Sequence, residues 1–219
     1  MDAGTDRSEI AMDRKRVGIV IYEEVEVLDF CGPFEVFSVV RLDEAKRRDE
    51  PSPFQAVLVA ESLGAVTATG GMQVLPHHSL ADCPHLDIVL VPGGWGFRHH
   101  LKNAVLLDWL RDRAAKADTL TAVCTGAMLL GSAGLLDGRN ATTHWKFLDG
   151  MRDSFPAIKV KYDKHFVKDG SVFTSAGISA GIDMSLKVVA HYFGESVARA
   201  TARHMEYPFP DQDARRIQL

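Results

Sequence analysis

The sequence predicts an α/β protein built on a doubly wound, mostly parallel sheet with helices on both faces. Two observations predict this fold class. Segments typical of strands alternate along the chain with segments of helical period, and the central strand candidates are apolar throughout, as strands buried on both faces are. At 219 residues, 46% of them hydrophobic, the chain is long enough for a single domain of this class with a substantial core.

The first half of the chain is expected to form two central strands, a helix and a hairpin. The strands are RVGIVIY (16–22) and FQAVLVA (54–60). Between them, GPFEVFSVVRLDEAKRR has apolar residues near helical spacing, and Pro33 is suited to the first turn of that helix. The segment 65–76 is expected to be a hairpin that turns on two consecutive glycines.

The second half supplies two further central strands, each of which ends in residues of chemical interest. LDIVLVPGG (86–94) ends in two glycines, and LTAVC (120–124) ends in a cysteine. Strands in IKVKYDKHFVKDGSVFTS are expected to surround a turn at Asp169-Gly170. The helices expected in this half are NAVLLDWLRDRAAKA, GAMLLGSAGLL, GIDMSLKVVAHYFG and ESVARATARHM.

The chain ends are expected to lie outside this domain. Residues 1–15 form a polar segment without an apolar signal core and are expected to be a flexible arm, residues 16–210 the domain, and residues 211–219 a C-terminal tail. No internal repeat and no interdomain linker interrupts the pattern. Because the N-terminal segment has no apolar signal core, the cytoplasm is the expected location.

Composition argues against several classes of partner. The net charge of −4 comes from 25 basic and 29 acidic residues without a basic block, so no nucleic-acid partner is expected. No apolar run approaches the ~20 residues that span a bilayer, so no membrane partner is expected. The three cysteines lack C-x-x-C spacing, the paired histidines lack a completing carboxylate, and no G-x-G-x-x-G frame is present. The sequence therefore predicts no metal and no cofactor. It predicts a small molecule as the ligand.

Three loops are expected to meet where the parallel strands end, because ligands of doubly wound sheets bind beyond the carboxyl ends of the strands. Asp29 follows the first strand, Gly93 and Gly94 follow the strand at 86–91, and Cys124 follows the strand at 119–123. Each loop offers a different chemical group to this edge. The sequence therefore predicts a site built from a thiol, a carboxyl group and backbone N–H groups.

Cys124 is the predicted nucleophile of this site. It lies at a strand-to-helix turn, where the helix N-terminus favours a thiolate and Gly126 allows a tight elbow. Asp29 is the predicted proton donor, and the backbone at Gly94 and Thr125 is expected to donate N–H groups to a developing anion. Each feature also has a structural interpretation: a buried cysteine can be core, the glycines can form a turn, and Asp29 can cap the helix beginning near Pro33.

Five segments carry a resemblance to a known family. They are LDFCGPFEVF, DIVLVPGGWG, AVCTGAMLLGSAGLLDGRNATTHW, VFTSAGISAGIDMSL and RHMEYPFP. Together, over residues 16–210, they resemble the ThiJ/PfpI superfamily (class I glutamine amidotransferase-like), and in particular its isonitrile hydratase branch. The resemblance implies a flavodoxin-like sandwich, a homodimer and Cys124 as the elbow nucleophile.

The resemblance also bears on individual residues. Asp29 stands where many superfamily members have glutamate and the isonitrile hydratases have aspartate. Thr125 stands where the peptidase-like branch has histidine, so a peptidase is not expected. Cys31 departs from the threonine that isonitrile hydratases tend to carry there, and it is expected to place a second sulfur near the site.

The substrate pocket is expected to be small and apolar. Trp95 and Ile178 are candidate walls, and by resemblance the loop at Gly177 and Ile178 is expected to lie against Cys124 and to offer it a backbone N–H. That loop can equally be a plain connection between a strand and a helix. His144, which follows the cysteine by twenty residues, is either a catalytic residue near the thiol or a packed structural histidine.

The resemblance implies cofactor-free hydration of isonitriles to N-substituted formamides. Two alternatives stay open. One is a non-catalytic ligand or redox sensor that uses the same pocket. The other is glyoxalase-like or deglycase chemistry on small aldehydes, which usually employs glutamate in place of Asp29.

Overall fold

The central sheet confirms the predicted α/β class. The computed structural model describes residues 14–218. The strands are β1 (Lys15–Val20), β2 (Phe54–Ala60), β3 (Val66–Thr67), β4 (Gln73–Val74), β5 (His78–Ser79), β6 (Ile88–Val91), β7 (Thr119–Val123), β8 (Asn140–Ala141), β9 (Lys159–Val160), β10 (Phe166–Asp169) and β11 (Val172–Ser175). Seven of them form one sheet in the order β10-β11-β7-β6-β1-β2-β5.

The direction of the strands brings the predicted loops to one edge. All neighbouring pairs of this sheet are parallel except β10 and β11. Strands β6 and β7 are buried along their whole length, which explains why their sequences are apolar without alternation. The carboxyl ends of β1, β6, β7 and β11 therefore open onto the same edge of the sheet.

The helices form two layers. They are α1 (Val27–Val39), α2 (Phe97–His100), α3 (Ala104–Ala114), α4 (Gly126–Ser132), α5 (Leu148–Ser154), α6 (Ala180–Phe193) and α7 (Glu195–His204), with 3₁₀ turns at Glu44–Lys46 and Trp145–Phe147. Helices α1, α6 and α7 pack against one another, whereas α2 and α3 pack against α4. Together with the mostly parallel sheet, this is the flavodoxin-like, single-domain architecture that the resemblance implied.

The two predicted turns are confirmed. Strands β3 and β4 pair antiparallel around Gly70 and Gly71, which have φ angles of 85° and 88°. Strands β10 and β11 pair antiparallel around Gly170, which has a φ angle of 63°. All three positions lie in the left-handed region, where glycine carries no Cβ penalty.

The first helix differs from the prediction at both ends. It begins at Val27, so Pro33 lies inside the helix instead of in its first turn. Burial of Asp29 and Phe30 in the preceding turn outweighs the missing proline N–H. The helix ends at Val39, where the carbonyl groups of the last turn accept hydrogen bonds from the side chains of Arg41 and Arg47.

Most of the predicted N-terminal arm, residues 1–13, lies outside the described residues, and Lys15 already belongs to β1. The C-terminal segment folds back onto the domain: the Asp213 carbonyl accepts a hydrogen bond from the His165 N–H at 2.7 Å, and Arg216 pairs with the buried Asp183. Among residues 14–218, we find no helix with the length and apolar character that crossing a membrane requires.

Candidate active site

Cys124 occupies a sharp turn between β7 and α4, as the sequence predicts. Its φ angle of 55° lies in the left-handed region, and its side chain is buried. The Cys124 N–H donates to the Ala176 carbonyl at 3.2 Å, and the Cys124 carbonyl accepts from the Thr143 hydroxyl at 2.7 Å. A non-glycine residue adopts this conformation only where its surroundings enforce it, and these two hydrogen bonds do so.

Gly126 allows the turn to be this tight. A Cβ at this position would lie 1.9 Å from the carbonyl oxygen of Val91, at the end of β6. Only glycine therefore lets the first turn of α4 lie directly on the neighbouring strand. This close approach fixes where Cys124 stands relative to the loop that follows β6.

Asp29 lies in the first turn of α1 and is fully buried. Its Oδ2 atom accepts a hydrogen bond from the Gly93 N–H at 2.9 Å, whereas Oδ1 has no hydrogen-bond partner within residues 14–218. The interpretation of Asp29 as a helix cap is wrong, because the helix begins two residues before it and its carboxyl group bonds to another loop. A buried carboxyl oxygen without a partner beside a thiol is typical of a functional group, not of packing.

The carboxyl group and the thiol influence each other's ionisation. Burial raises the pKa of Asp29 to about 7, with the Glu26 charge adding to the effect and the Gly93 N–H opposing it. Burial also raises the pKa of Cys124 well above its ordinary value, and the negative charge of Asp29 adds to that. Above pH 7 the pair therefore holds one proton between two sites until the thiol itself ionises.

The raised pKa of the Cys124 thiol corrects one expectation. The sequence predicts that the helix N-terminus favours a thiolate at Cys124. The N–H groups of Thr125 and Ile178 do lower the pKa of the thiol, but burial outweighs them. The thiol is therefore protonated at neutral pH, and the buried carboxyl group of Asp29 is the charge that couples to it.

The predicted anion-binding backbone is only partly in place. The Gly94 N–H donates to the Thr125 hydroxyl at 3.1 Å, so it positions Thr125 instead of facing an anion. A Cβ at Gly93 would lie 2.5 Å from that hydroxyl and 2.9 Å from Asp29 Oδ2, which requires glycine there. The N–H groups available to a negative charge at the sulfur are those of Thr125 and Ile178.

The loop at 177–178 lies against the sulfur, as the resemblance implied. Ile178 has a φ angle of 58° and a side chain that is 40% exposed. A β-branched residue in the left-handed region is an outlier that marks strain at a functional position. Gly177 makes room for the neighbouring ring, because a Cβ there would lie 2.1 Å from His144 Cδ2.

His144 is part of the cavity wall. Its Nδ1 atom accepts a hydrogen bond from the Lys146 N–H at 3.3 Å, and its ring packs beside Trp145 and Phe147. Burial lowers the pKa of His144, so the ring is neutral at physiological pH. Its hydrogen bond in the described part of the chain is to the backbone, and none joins it to Cys124 or Asp29.

A cavity of about 170 Å³ opens above the sulfur. It is lined by Glu26, Gly94, Trp95, Phe97, Arg98, Cys124, Thr125, His144, Lys146, Phe147 and Ile178. The volume matches a small organic molecule, since a cavity of about 150 Å³ holds benzene. Neither Asp29 nor Cys31 lines this cavity, and the expectation of a second sulfur near the site stays a prediction.

Comparison with known proteins assigns the chain to a family. Residues 15–191 match the DJ-1/PfpI family. The chain belongs to the DJ-1/PfpI family. Among its relatives, the isonitrile hydratase of Pseudomonas putida is 36% identical over 200 residues, which cover 91% of this chain and 82% of that protein.

Other DJ-1/PfpI relatives show how widely this fold is used. The transcriptional regulator CdhR of Pseudomonas aeruginosa is 34% identical over 71% of this chain, but the match covers only 46% of the regulator. A crystal structure of a ThiJ/PfpI family protein from Pseudomonas syringae superposes with a TM-score of 0.78 at 30% identity, over 97% of this chain and 84% of that one. Drosophila melanogaster DJ-1beta, at 21% identity over 90% of this chain and all of that one, shares the fold with a TM-score of 0.74.

In this DJ-1/PfpI chain, sequence reasoning missed almost half of the cavity wall. The missed residues are Glu26, Phe97, Arg98, Lys146 and Phe147. Two of them lie on the four-residue helix α2 and two in the 3₁₀ turn after His144, and elements this short leave no periodic signal. The cluster WGFRHH, which places aromatic and basic residues directly after the glycine turn, is the signal that could have identified them.

Proposed function

We propose that this protein is an isonitrile hydratase in which Cys124 is the nucleophile and Asp29 carries the proton. The observation that supports the proposal best is a buried thiol that opens onto a cavity of benzene size and is coupled to the buried carboxyl group of Asp29. The similarity to the Pseudomonas putida isonitrile hydratase supports it independently.

The first half of the proposed reaction joins the substrate to the sulfur. The Asp29 carboxylate removes the thiol proton as Sγ attacks the terminal carbon of the isonitrile, so a C–S bond forms while the lone pair that develops at that carbon takes up the proton. The product is a thioimidate, R–N=CH–S–Cys124. The N–H groups of Thr125 and Ile178 stabilise the negative charge that passes through the sulfur.

The second half releases a formamide. Asp29 takes a proton from a water molecule whose oxygen adds to the thioimidate carbon, and passes that proton to the nitrogen, which gives R–NH–CH(OH)–S–Cys124. The C–S bond then breaks, the hydroxyl proton returns to the pair, and R–NH–CHO leaves with Cys124 restored. The sum is one isonitrile plus one water giving one N-substituted formamide, with no redox change.

Formamide production from small alkyl and aryl isonitriles tests this proposal. We expect turnover by the wild type, loss of at least about a thousandfold in Cys124→Ala, since nucleophilic catalysis is removed, and a comparable loss in Asp29→Asn. Cys83→Ala is the matched control, because Cys83 is also buried but lies outside the cavity. Absence of turnover with every isonitrile tried contradicts the proposal.

The similarity to CdhR favours a non-catalytic sensor as the second candidate. Intact-mass analysis during peroxide titration separates the two functions. Selective sulfinate formation at Cys124, without hydration of any isonitrile, supports the sensor. The homodimer implied by the family resemblance stays a prediction, and sedimentation of the purified protein tests it.

A further inference from the structure

Arg98 holds an unusual position in the cavity wall. Its guanidinium carbon lies 4.6 Å from the ring centroid of Trp95, 4.9 Å from that of Phe97 and 5.3 Å from that of Phe147. Three aromatic rings therefore restrict the side chain beside the entrance to the sulfur. Stacking of this kind uses the flat faces of the guanidinium and leaves the N–H groups at its edge free to bind.

Arg98 is exposed, and its N–H groups have no protein acceptor among residues 14–218. Arg98 makes no hydrogen bond or ion pair to any of residues 14–218, although most arginines of this chain do. Lys146, whose ammonium lies 5.2 Å from the Trp145 ring, lines the same cavity and has no ion pair in that range either. Glu26 is the acidic residue of the wall and stays beyond ion-pair distance of both cations.

We propose that Arg98 binds a carboxylate group carried by the substrate, with the reactive carbon directed toward Cys124. A planar guanidinium with free edge donors matches a carboxylate in a two-point geometry, and Lys146 adds positive charge to the same wall. The cavity volume limits the substrate to a small carboxylic acid. The isonitrile part of this assignment rests on the proposed function, whereas the carboxylate part does not.

Alkylation of Cys124 tests the carboxylate site without isonitrile chemistry. Iodoacetate and iodoacetamide are nearly isosteric, react by the same displacement of iodide by sulfur, and differ in charge. We expect the iodoacetate-to-iodoacetamide rate ratio at Cys124, normalised to N-acetylcysteine, to fall about tenfold in Arg98→Gln, which is the effect of losing one charge-assisted hydrogen-bonding partner. Arg98→Met preserves the contact with the rings and should lower the ratio equally.

Hydration of isocyanoacetate and of its methyl ester tests the substrate class. We expect the carboxylate-to-ester ratio of kcat/KM to fall about tenfold in both variants. Arg203→Gln is the matched control, because Arg203 is an exposed arginine outside the cavity, and it should change neither ratio.

The outcomes separate this proposal from the proposed function. An alkylation ratio that is the same in wild type, Arg98→Gln and Arg98→Met overturns the carboxylate site, whether or not isonitriles are hydrated. A ratio that falls in both variants supports it. If neither isonitrile is hydrated while the ratio still falls, the proposed function fails and the anion site stands.

Discussion

Asp29 and Cys124 are understandable only as a pair. Each is buried, and the charge on the carboxyl group raises the pKa of the thiol. Burial alone would leave Cys124 an inert core thiol. A second buried group that can accept its proton near neutral pH makes the sulfur usable, and Asp29, with a pKa of about 7, is such a group.

The pairing predicts the pH dependence of Cys124 alkylation. Below pH 7 Asp29 keeps its proton and no base accepts the thiol proton, so the rate with iodoacetamide should rise with pH and level off above about 7. In Asp29→Asn this inflection should disappear, and the rate should continue to rise toward the pKa of the thiol, which burial still raises but the Asp29 charge no longer does. Peptide mass analysis between pH 5 and 9 measures both profiles.

Cys83 serves as an internal control for this experiment. Burial raises the pKa of its thiol too, and the nearby Asp82 carboxyl group, whose pKa lies below its ordinary value, stays ionised throughout this pH range. The labelling of Cys83 should show no inflection near pH 7 in either protein. An Asp29→Asn profile identical to that of the wild type would contradict the shared proton.

How far the sequence could predict these residues depends on how each is held in place. Asp29 and Cys124 follow long apolar strands whose parallel pairing brings them together, so the sequence was sufficient. The engagement of the Gly94 N–H by Thr125 and the placement of Arg98 in the cavity wall depend on contacts between loops. No periodic pattern in the sequence indicates such contacts.

At the scale of elements, the loop after β11 sets the geometry around the sulfur. Gly177 lies against the His144 ring so closely that a methyl group would overlap it. A methyl group there would displace either the His144 ring or the strained Ile178, whose N–H lowers the pKa of the Cys124 thiol. The glycine is therefore needed for close approach, beyond its role as a connection.

Gly177→Ala is therefore expected to lower kcat/KM for isonitrile hydration, or the Cys124 alkylation rate, by about tenfold, because small displacements in active sites carry effects of this size or larger. Circular dichroism and thermal unfolding should show a folded protein. Gly150→Ala is the control, since a Cβ at Gly150 meets no atom within 4 Å. Equal activity in the two variants would show that the loop tolerates a methyl group.

The C-terminal segment also reaches the elbow. The Arg215 guanidinium donates to the Tyr162 carbonyl at 2.8 Å and to the Thr142 hydroxyl at 2.9 Å. It also donates to the Thr143 carbonyl at 3.2 Å, and the Thr143 hydroxyl in turn holds the Cys124 carbonyl. The sequence predicts residues 211–219 to be a tail, and no periodic pattern indicates that one arginine of it connects three loops.

Arg215→Met should therefore loosen the elbow without removing any group that touches the substrate. We expect a several-fold lower alkylation rate at Cys124, with the inflection near pH 7 retained because Asp29 is unchanged. Lys164→Met is the matched control: it removes a pair between Lys164 and Asp213 of the same segment, at the surface and away from the elbow. Equal rates in both variants would limit Arg215 to a role in overall stability.

At the scale of the whole molecule, the sheet explains what the sequence predicts well. The strands β1, β2, β6 and β7 are largely apolar because helices cover both of their faces. Their apolar sequences therefore directly indicate that they are buried. The two-residue strand β5 was not predicted. It is too short to carry a period, and its pairing is set by the elements around it.

The site is also connected to the helical layer. Ile178 immediately precedes α6, and α6 packs against both α1, which carries Asp29, and α7. The strain in the Ile178 backbone is maintained only if contacts around it compensate, and its N–H interaction with the sulfur is one of them. A chemical change at the sulfur should therefore alter the hydrogen exchange of α6.

Hydrogen exchange of native and Cys124-alkylated protein measures this coupling. Alkylation replaces the thiol, whose pKa the Ile178 N–H lowers, with a bulkier thioether, so the strained loop should relax and residues 177–186 should exchange faster. Strand β6 is the internal control, because it is buried throughout and packs against α4. Alkylation must be confirmed by mass in the same sample. If protection across 177–186 is unchanged while Cys124 is fully modified, the sulfur does not hold the loop, and the strain at Ile178 is supported by packing alone.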